Sequence, residues 1–313
     1  MAGMASSELR SAFVAETTAG TIPGTPSFTN FDEPLLMRAT PTIAERKTLA
    51  AKGAREGQSV GGREVTGSAS GQMAYGALDE FLETLFQGAW ATNVLKDAKS
   101  VKTVAIENTI DAGVGGTATM MRYRGVEAVG GTISAQSREP INYSLDLRGR
   151  GSDDATTTAI TGATYTDQAE KTPLTSGLDV GSITFNGYTL DCFQRVEMQF
   201  NYEGRDDQPK LGSYDLCGIT RGALVPVINA RIYVDTNFLA IYNAARSNHT
   251  AFSVSVPLGS VSGSKYTVEF PVCAFASGDL DFGAADAMHD IVIYPQYDAT
   301  TENCVVKITR AVS

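Results

Sequence analysis

The chain has 313 residues, 42% of them hydrophobic, enough to bury a large core in two domains of about 150 residues each. A formal net charge of −10 excludes DNA as a bound ligand, because affinity for DNA comes from Lys and Arg neutralising phosphates, and it excludes an anionic membrane surface as a partner. Charged residues make up only 19%, while Gly, Thr, Ser and Val are plentiful, which favours strands over long surface helices.

Residues 1–34 predict an extended arm, since TAGTIPGTPSF (18–28) carries prolines and glycines that neither a helix nor a central strand tolerates. Residues 35–40 open a strand. Residues 41–64 are polar, mixed in charge and without an apolar period, and read as a long loop or projecting hairpin that docks on a partner. EVTGSASGQM (64–73) is strand-like. YGALDEFLETLFQG (75–88) is the clearest helix: its apolar positions recur at helical spacing, Asp79 and Glu80 sit in the first turn, and Gly88 ends it. Leu78, Phe81, Leu82 and Leu85 form its packing face. Strands follow at 101–107, 120–129, 131–137 and 141–148, the last alternating Ile141, Tyr143, Leu145 and Leu147. Residues 151–181, rich in Gly, Ser, Thr and Asp, read as a linker.

Beyond that linker the pattern returns. SITFNGYTL and RVEMQFNYEG are strands, 203–222 is a second polar stretch, and LVPVINARIYV leads into a short helix at 236–246 packed through Phe238, Ile241 and Tyr242. Strands close the chain at 251–258, 265–275, 290–297 and 304–311. A slide of 160 positions lays 33–88 on 193–248 without a gap, with Val65 on Val225 and Gly62 on Gly222; further on the offset shrinks, with Gly131 over Gly278. A fixed-offset match that carries a helical face along marks a duplicated unit. The domain reading is therefore an arm (1–34), a first β domain (35–150), a linker (151–181) and a second β domain (182–313), each domain carrying one flanking helix.

Little in the chain points to chemistry. The cysteines, Cys192, Cys217, Cys273 and Cys304, form no C-x-x-C pair and read as small strand residues in a reduced fold. His249 and His289 are the only histidines, and no nucleophile elbow accompanies them. GVGGTA (113–118) lacks the context of a dinucleotide fingerprint, and Asp279, Asp281 and Asp286 do not follow the EF-hand pattern, so both are turns. Neither a signal-peptide pattern nor an apolar run of about 18 residues occurs, so no cofactor, metal, catalytic site or membrane contact is expected. The mixed charges Glu45, Arg46, Lys47, Lys52, Arg55 and Glu56, together with Arg205, Asp206, Asp207 and Lys210 in the second polar stretch, suit docking surfaces where complementary charge sets register.

ETTAGTIPGTPSF (16–28), VTGSASG with YGALDEFLETLFQGAW (75–90), RYRGVEAVGGTIS (122–134), INYSLDLRGRG (141–151), LGSYDLCGITRGA (211–223) and YTVEFPVCAFASGDL (266–280), in this order, resemble the phage tail tube proteins of long non-contractile tails. The resemblance implies β-sandwich or β-barrel tube domains, six of which close a ring with a continuous inner sheet, and rings that stack head to tail. With two copies per chain it implies a trimer of pseudo-sixfold symmetry, the alternative being a simple hexamer with the second copy as outer decoration. The ten charged docking residues would then stack rings, strands 64–73, 120–137, 224–234 and 265–275 would face the bore, and the acidic excess would repel DNA there. The implied partners are further copies of the chain and other tail proteins (tape measure, tail terminator, distal tail protein), with genomic DNA as cargo only. The implied location is the virion tail, after assembly in the host cytoplasm. The rival expectations are a receptor-binding or decorating β-sandwich virion protein that forms a closed oligomer, and a carbohydrate-active β-sandwich enzyme.

Overall fold

The computed structural model describes residues 8–45, 57–111, 117–170, 172–185, 188–190, 192–234, 243, 251–281 and 286–311. Its first elements are β1 (Leu9–Ala15), β2 (Ser27–Phe31), β3 (Leu36–Glu45), β4 (Gln58–Gln72), the helix α1 (Asp79–Phe86), β5 (Val94–Lys96), β6 (Val104–Ile110), β7 (Thr119–Gln136), β8 (Asn142–Gly149) and β9 (Gly151–Ser152). Next come β10 (Thr164–Asp167), the single turn α2 (Ser176–Asp179), β11 (Ile183–Phe185), β12 (Tyr188–Leu190), β13 (Phe193–Glu203), β14 (Asp207–Pro209), β15 (Leu216–Ile219) and β16 (Ala223–Tyr233). β17 (Phe252–Leu258), β18 (Tyr266–Asp281), β19 (Met288–Gln296) and β20 (Lys307–Arg310) complete the chain. The fold is mainly β and sandwich-like, and its sheets are not closed barrels.

The main layer runs in the order β3-β4-β8-β7-β13-β16-β19-β18, every neighbour antiparallel. It is two blocks of four strands with the same internal order, laid side by side in the same sense. The N-terminal part of β7 leaves this layer to pair with β6, and β18 does the same with β17, so each long strand belongs to two layers. A core of aliphatic and aromatic side chains fills the space between the layers.

Register ties the blocks together more tightly than their sequences do. Met37 faces Gly67 and Met198 faces Ile228; Gly67 faces Leu147 and Ile228 faces Ile293; Gly131 faces Leu145 and Gly278 faces Ile291. The β7–β8 ladder shifts between Ala128 and Gly130, and β18–β19 shifts at the corresponding place, between Phe275 and Ser277. These equivalences correct the slide of 160 positions. Val65 corresponds to Pro226, and both are buried, whereas Val225 faces out. A one-residue slip exchanges the two faces of a strand, and only the hydrogen-bond register detects it.

Two segments differ from their sequence readings. Residues 9–31 are not an arm: β1 pairs with β6 along its whole length and with β2, and Phe13 and Phe31 pack against Phe81 at 4.9 and 5.6 Å. Ser11 hides this strand by putting a hydroxyl in the core, where it donates to Asn108 and accepts the Leu35 N–H. Residues 151–181 are not a free linker. β9 pairs with β7, β10 lies parallel to β2, and Tyr165 stacks on Phe28 at 5.4 Å while its hydroxyl donates to Glu107. The polar stretch 41–64 takes the hairpin form, β3 turning back as β4, with residues 46–56 outside the described chain.

The helix is shorter than its sequence pattern. Leu78, Phe81, Leu82 and Leu85 are all buried, while the calls on Phe238, Ile241 and Tyr242 lie outside the described residues. The left-handed residue that ends α1 is Gln87 (φ 52°), and Gly88 serves a different need: a Cβ there would lie 2.2 Å from the Lys96 carbonyl. The second half pins the other end of α1, where the Asp79 carboxylate accepts hydrogen bonds from Tyr266 and Arg310.

Truncating Phe81 to Ala should cost about 3–5 kcal/mol, and Phe13→Ala should cost a similar amount, because both rings fill one cluster. Thermal melts followed by circular dichroism check this; a Phe13→Ala change within about 0.5 kcal/mol would return β1 to the surface. Burial pushes the tyrosine hydroxyls of Tyr165 and Tyr202 up to about 12, and that of Tyr266 well above its ordinary value. A raised folded value means the neutral form is the one the fold holds. This contribution to stability is therefore complete below about pH 10 and is lost as pH rises towards 12. The melting temperature should be level from pH 8 to 9.5 and fall steeply above it.

Candidate assembly interface

The seam where β7 meets β13 joins the two blocks. Gln136 faces Arg195, Ser134 faces Glu197, Thr132 faces Gln199, and Gly131 faces Phe200. On the core side Phe200 is fully buried and meets Phe86 at the end of α1 edge-on, with centroids 5.0 Å apart. Backbone hydrogen bonds thus supply the ladder, and an aromatic pair from the two halves seals it from behind.

Above the seam the stretch 204–222 folds back over the first block. β14 and β15 form a small hairpin within it. Arg205 is 7% exposed and bonds Glu127, itself 3% exposed, at 2.9 Å; Arg150 bonds the other Glu127 oxygen at 2.9 Å, and Gln87 donates at 3.2 Å. The guanidinium of Arg205 also lies 4.5 Å from the Tyr202 ring centroid, and the Tyr202 hydroxyl donates to the Leu85 carbonyl. Asp207 pairs with Arg148 and Asp215 with Arg124, while Leu216 N–H bonds the Arg150 carbonyl at 2.8 Å. A buried carboxylate with two guanidiniums and an amide has its acceptors filled, and this compensates the cost of desolvating the charge.

Of the residues read as docking charges, Arg205 and Asp207 are thus spent inside the chain. Asp206 accepts the Thr220 N–H through its backbone, and Lys210 stands exposed near the tip of its loop beside fully exposed Leu211. Glu45 is exposed at the end of β3; Arg46, Lys47, Lys52, Arg55 and Glu56 lie outside the described residues. The β3–β4 hairpin and the 204–222 stretch sit at one end of the main layer and touch, the Arg63 N–H bonding the Tyr214 carbonyl at 3.3 Å. Sequence reasoning missed Glu127 and Arg150, whose only signal was a charge inside an apolar strand and another just after one.

The face of the main layer turned away from the core carries Glu64, Thr66, Ser68 and Ser70 on β4, Ser144, Asp146 and Arg148 on β8, and Thr132 and Ser134 on β7. Across the seam it continues with Arg195, Glu197, Gln199, Asn201 and Glu203 on β13, Asn229 and Arg231 on β16, and Asp290 and Val292 on β19. Of the strands read as bore-lining, 64–73 and 224–234 lie in this layer, whereas 120–137 and 265–275 each start in the other layer, paired with β6 and with β17. The face is rich in hydroxyls and amides, and its carboxylates alternate with arginines, as in Arg231–Asp290 at 2.7 Å. Five carboxylates (Glu64, Asp146, Glu197, Glu203 and Asp290) and three arginines (Arg148, Arg195 and Arg231) share this face among the side chains named. Overall charge says nothing about which face carries it.

A layer of this kind, two like blocks joined edge to edge with a solvated face, defines a β protein built to continue its own sheet. A scan against protein families matches residues 6–291 to the phage tail tube proteins, and the chain belongs to that family. It is a structural component of the virion tail that assembles with itself and other tail proteins into a tube. The curated proteins contain no match to it. Among the described residues no helix is long and apolar enough to cross a membrane, and no cluster of His, Cys, Asp and Glu could hold a metal ion.

Removing one partner of the Glu127 cluster strands the others in a buried site. Arg205→Ala should destabilise the chain by about 3–5 kcal/mol. Lys210→Ala, at an exposed position, should stay within about 0.5 kcal/mol. Urea unfolding of both variants distinguishes them.

Proposed function

We propose that each chain supplies two tube units, that three chains close a pseudo-sixfold ring, and that rings stack head to tail into a tube through which the genome leaves. The first unit takes in the segments at 9–31 and 151–181 as well as 35–150; the second spans 182–313. The observation that carries this reading is the repeated ladder. Two blocks with the same order, register and bulge are joined in the same sense, so the joint is heterologous and can be repeated by further chains. Six units, the number the tail-tube resemblance implies, require three chains. A ring closed in this way removes the sheet edges that would otherwise pair at random.

The solvated face of the main layer lines the bore. Its side chains are mostly hydroxyls, amides and carboxylates, and Asp290 holds Arg231 beside Arg195, so little there would retain DNA phosphates. The β3–β4 hairpin, with Glu45 at its described end, and the exposed tip at Lys210 and Leu211 project from one end of the layer and contact the next ring. Tape measure, tail terminator and distal tail proteins meet the ends of the tube, which is assembled in the host cytoplasm before the virion is complete.

Negative-stain microscopy of the purified protein tests this: filaments with a central bore are expected, and discrete closed particles would favour a decorating role instead. A second test replaces residues 43–61 by an Asn-Gly turn, which keeps the Thr42–Gly62 pair. This should give soluble rings or single chains that do not form filaments; tubes of ordinary length would remove the hairpin from stacking.

A further inference from the structure

Resting on the ring proposed above, we propose that β18 of one chain pairs antiparallel with β3 of the next in a defined register: Gly278 opposite Ala39, Asp279 opposite Arg38, Leu280 opposite Met37 and Asp281 opposite Leu36. This is the register of the seam inside the chain carried to the seam between chains. Inside the chain Gly131 faces Phe200 and Thr132 faces Gln199. The equivalent ladders carry Gly131 to Gly278 and Phe200 to Ala39, which fixes the whole pairing.

Among the described residues neither edge pairs with a further strand. Among these residues β3 pairs with no strand but β4, although the Met37 carbonyl accepts from the Tyr123 hydroxyl and its N–H bonds the Leu35 carbonyl, and β18 beyond Cys273 pairs only with β19. Long open edges of this kind are covered in native assemblies. Along β3 every residue but Met37 is exposed, whereas the counterpart of Ala39 in the inner seam, Phe200, is fully buried. A mainly apolar groove of about 540 Å³ runs beside β3, lined by Leu9, Leu36, Met37, Ile110 and Met121, and it receives the neighbour's edge.

Charge selects the same partner. The β18–β19 register sets Asp279 opposite Asp290, a like-charged pair that disfavours the ladder by itself. Arg231 holds the Asp290 carboxylate from the far side at 2.7 Å. Arg38 has no ion pair among the described residues, and the proposed register sets it opposite Asp279. The row across the seam then reads Arg231, Asp290, Asp279 and the next chain's Arg38, with an arginine on either side of the two aspartates. A second copy of the chain is the occupant this edge fits.

Two experiments on the full chain read the register directly. In a Cys192→Ser, Cys217→Ser background, Ala39→Cys with Gly278→Cys brings Cα atoms to about 5 Å across an antiparallel pair, within disulfide range. Mild oxidation of assembled protein should link chains covalently up to trimers. Ala39→Cys with Ser277→Cys, on opposite faces of the sheet, should not link. Separately, Arg38→Glu alone and Asp279→Lys alone should each reduce sedimentable polymer about tenfold or more, and the two together should restore it. The melting curve of Arg38→Glu should match the parent, since β3 is an exposed edge, and Asp279→Lys, which sets opposite charges across β18 and β19, should melt no lower than the parent. Tubes that form normally while only the Ser277 pair links, or single charge variants that assemble like the parent, would overturn the register and leave the tube reading standing. Failure of the parent chain to form any ring or tube would overturn the ring reading itself.

Discussion

The antiparallel ladder between β7 and β13 is the contact on which the molecule depends. Backbone N–H and C=O groups at a strand edge must find partners, and here one half of the chain satisfies the other. Because side chains alternate strictly, that ladder also fixes which face of eight strands meets the core and which meets water. Gln136, Ser134 and Thr132 stay on the wet face only while they lie opposite Arg195, Glu197 and Gln199. A slip of one residue would bury the glutamate and expose Met198.

The two bulged strands give this layer its depth. β7 and β18 each begin in the outer layer and end in the main one, changing partners from β6 to β8 and from β17 to β19. An extra residue at Val129 and another at Ala276 provide the added twist that such a transfer needs, and their equivalent placement keeps the two blocks in step. Gly131 allows close packing beyond the bulge, since a Cβ there would lie 2.6 Å from the Leu145 side chain. The core between the layers is therefore continuous with the helix, whose Phe81 and Phe86 reach the β1–β2 side and the seam respectively.

Sequence reading reaches the parts of this structure where one face is uniformly apolar. The i, i+3, i+4 face of α1 and the alternation of Tyr143, Leu145 and Leu147 on β8 are both visible in the residues, because a helix and a half-buried strand impose different periods. It fails where a polar group is buried and satisfied. Ser11 in β1 and Glu127 in β7 are both core residues whose partners lie far away in the chain. It fails again where both faces carry small residues: on β4 and β16, glycine and valine match almost as well one position out, and only the ladder separates Val225 from Pro226. The resemblance identified the family, while the residues that join the two halves were visible only in the fold.

The cluster at Glu127 clasps the seam inside the chain. Under the ladder equivalence the position answering to Glu127 is Ala274, so in the proposed ring the seam between chains would lack this buried carboxylate. In the proposed ring, every second joint would thus be riveted during folding, before any encounter between molecules. A wall made from such chains would have joints of two strengths in alternation, and under stretching or bending it would part along the unriveted ones, leaving each double unit whole.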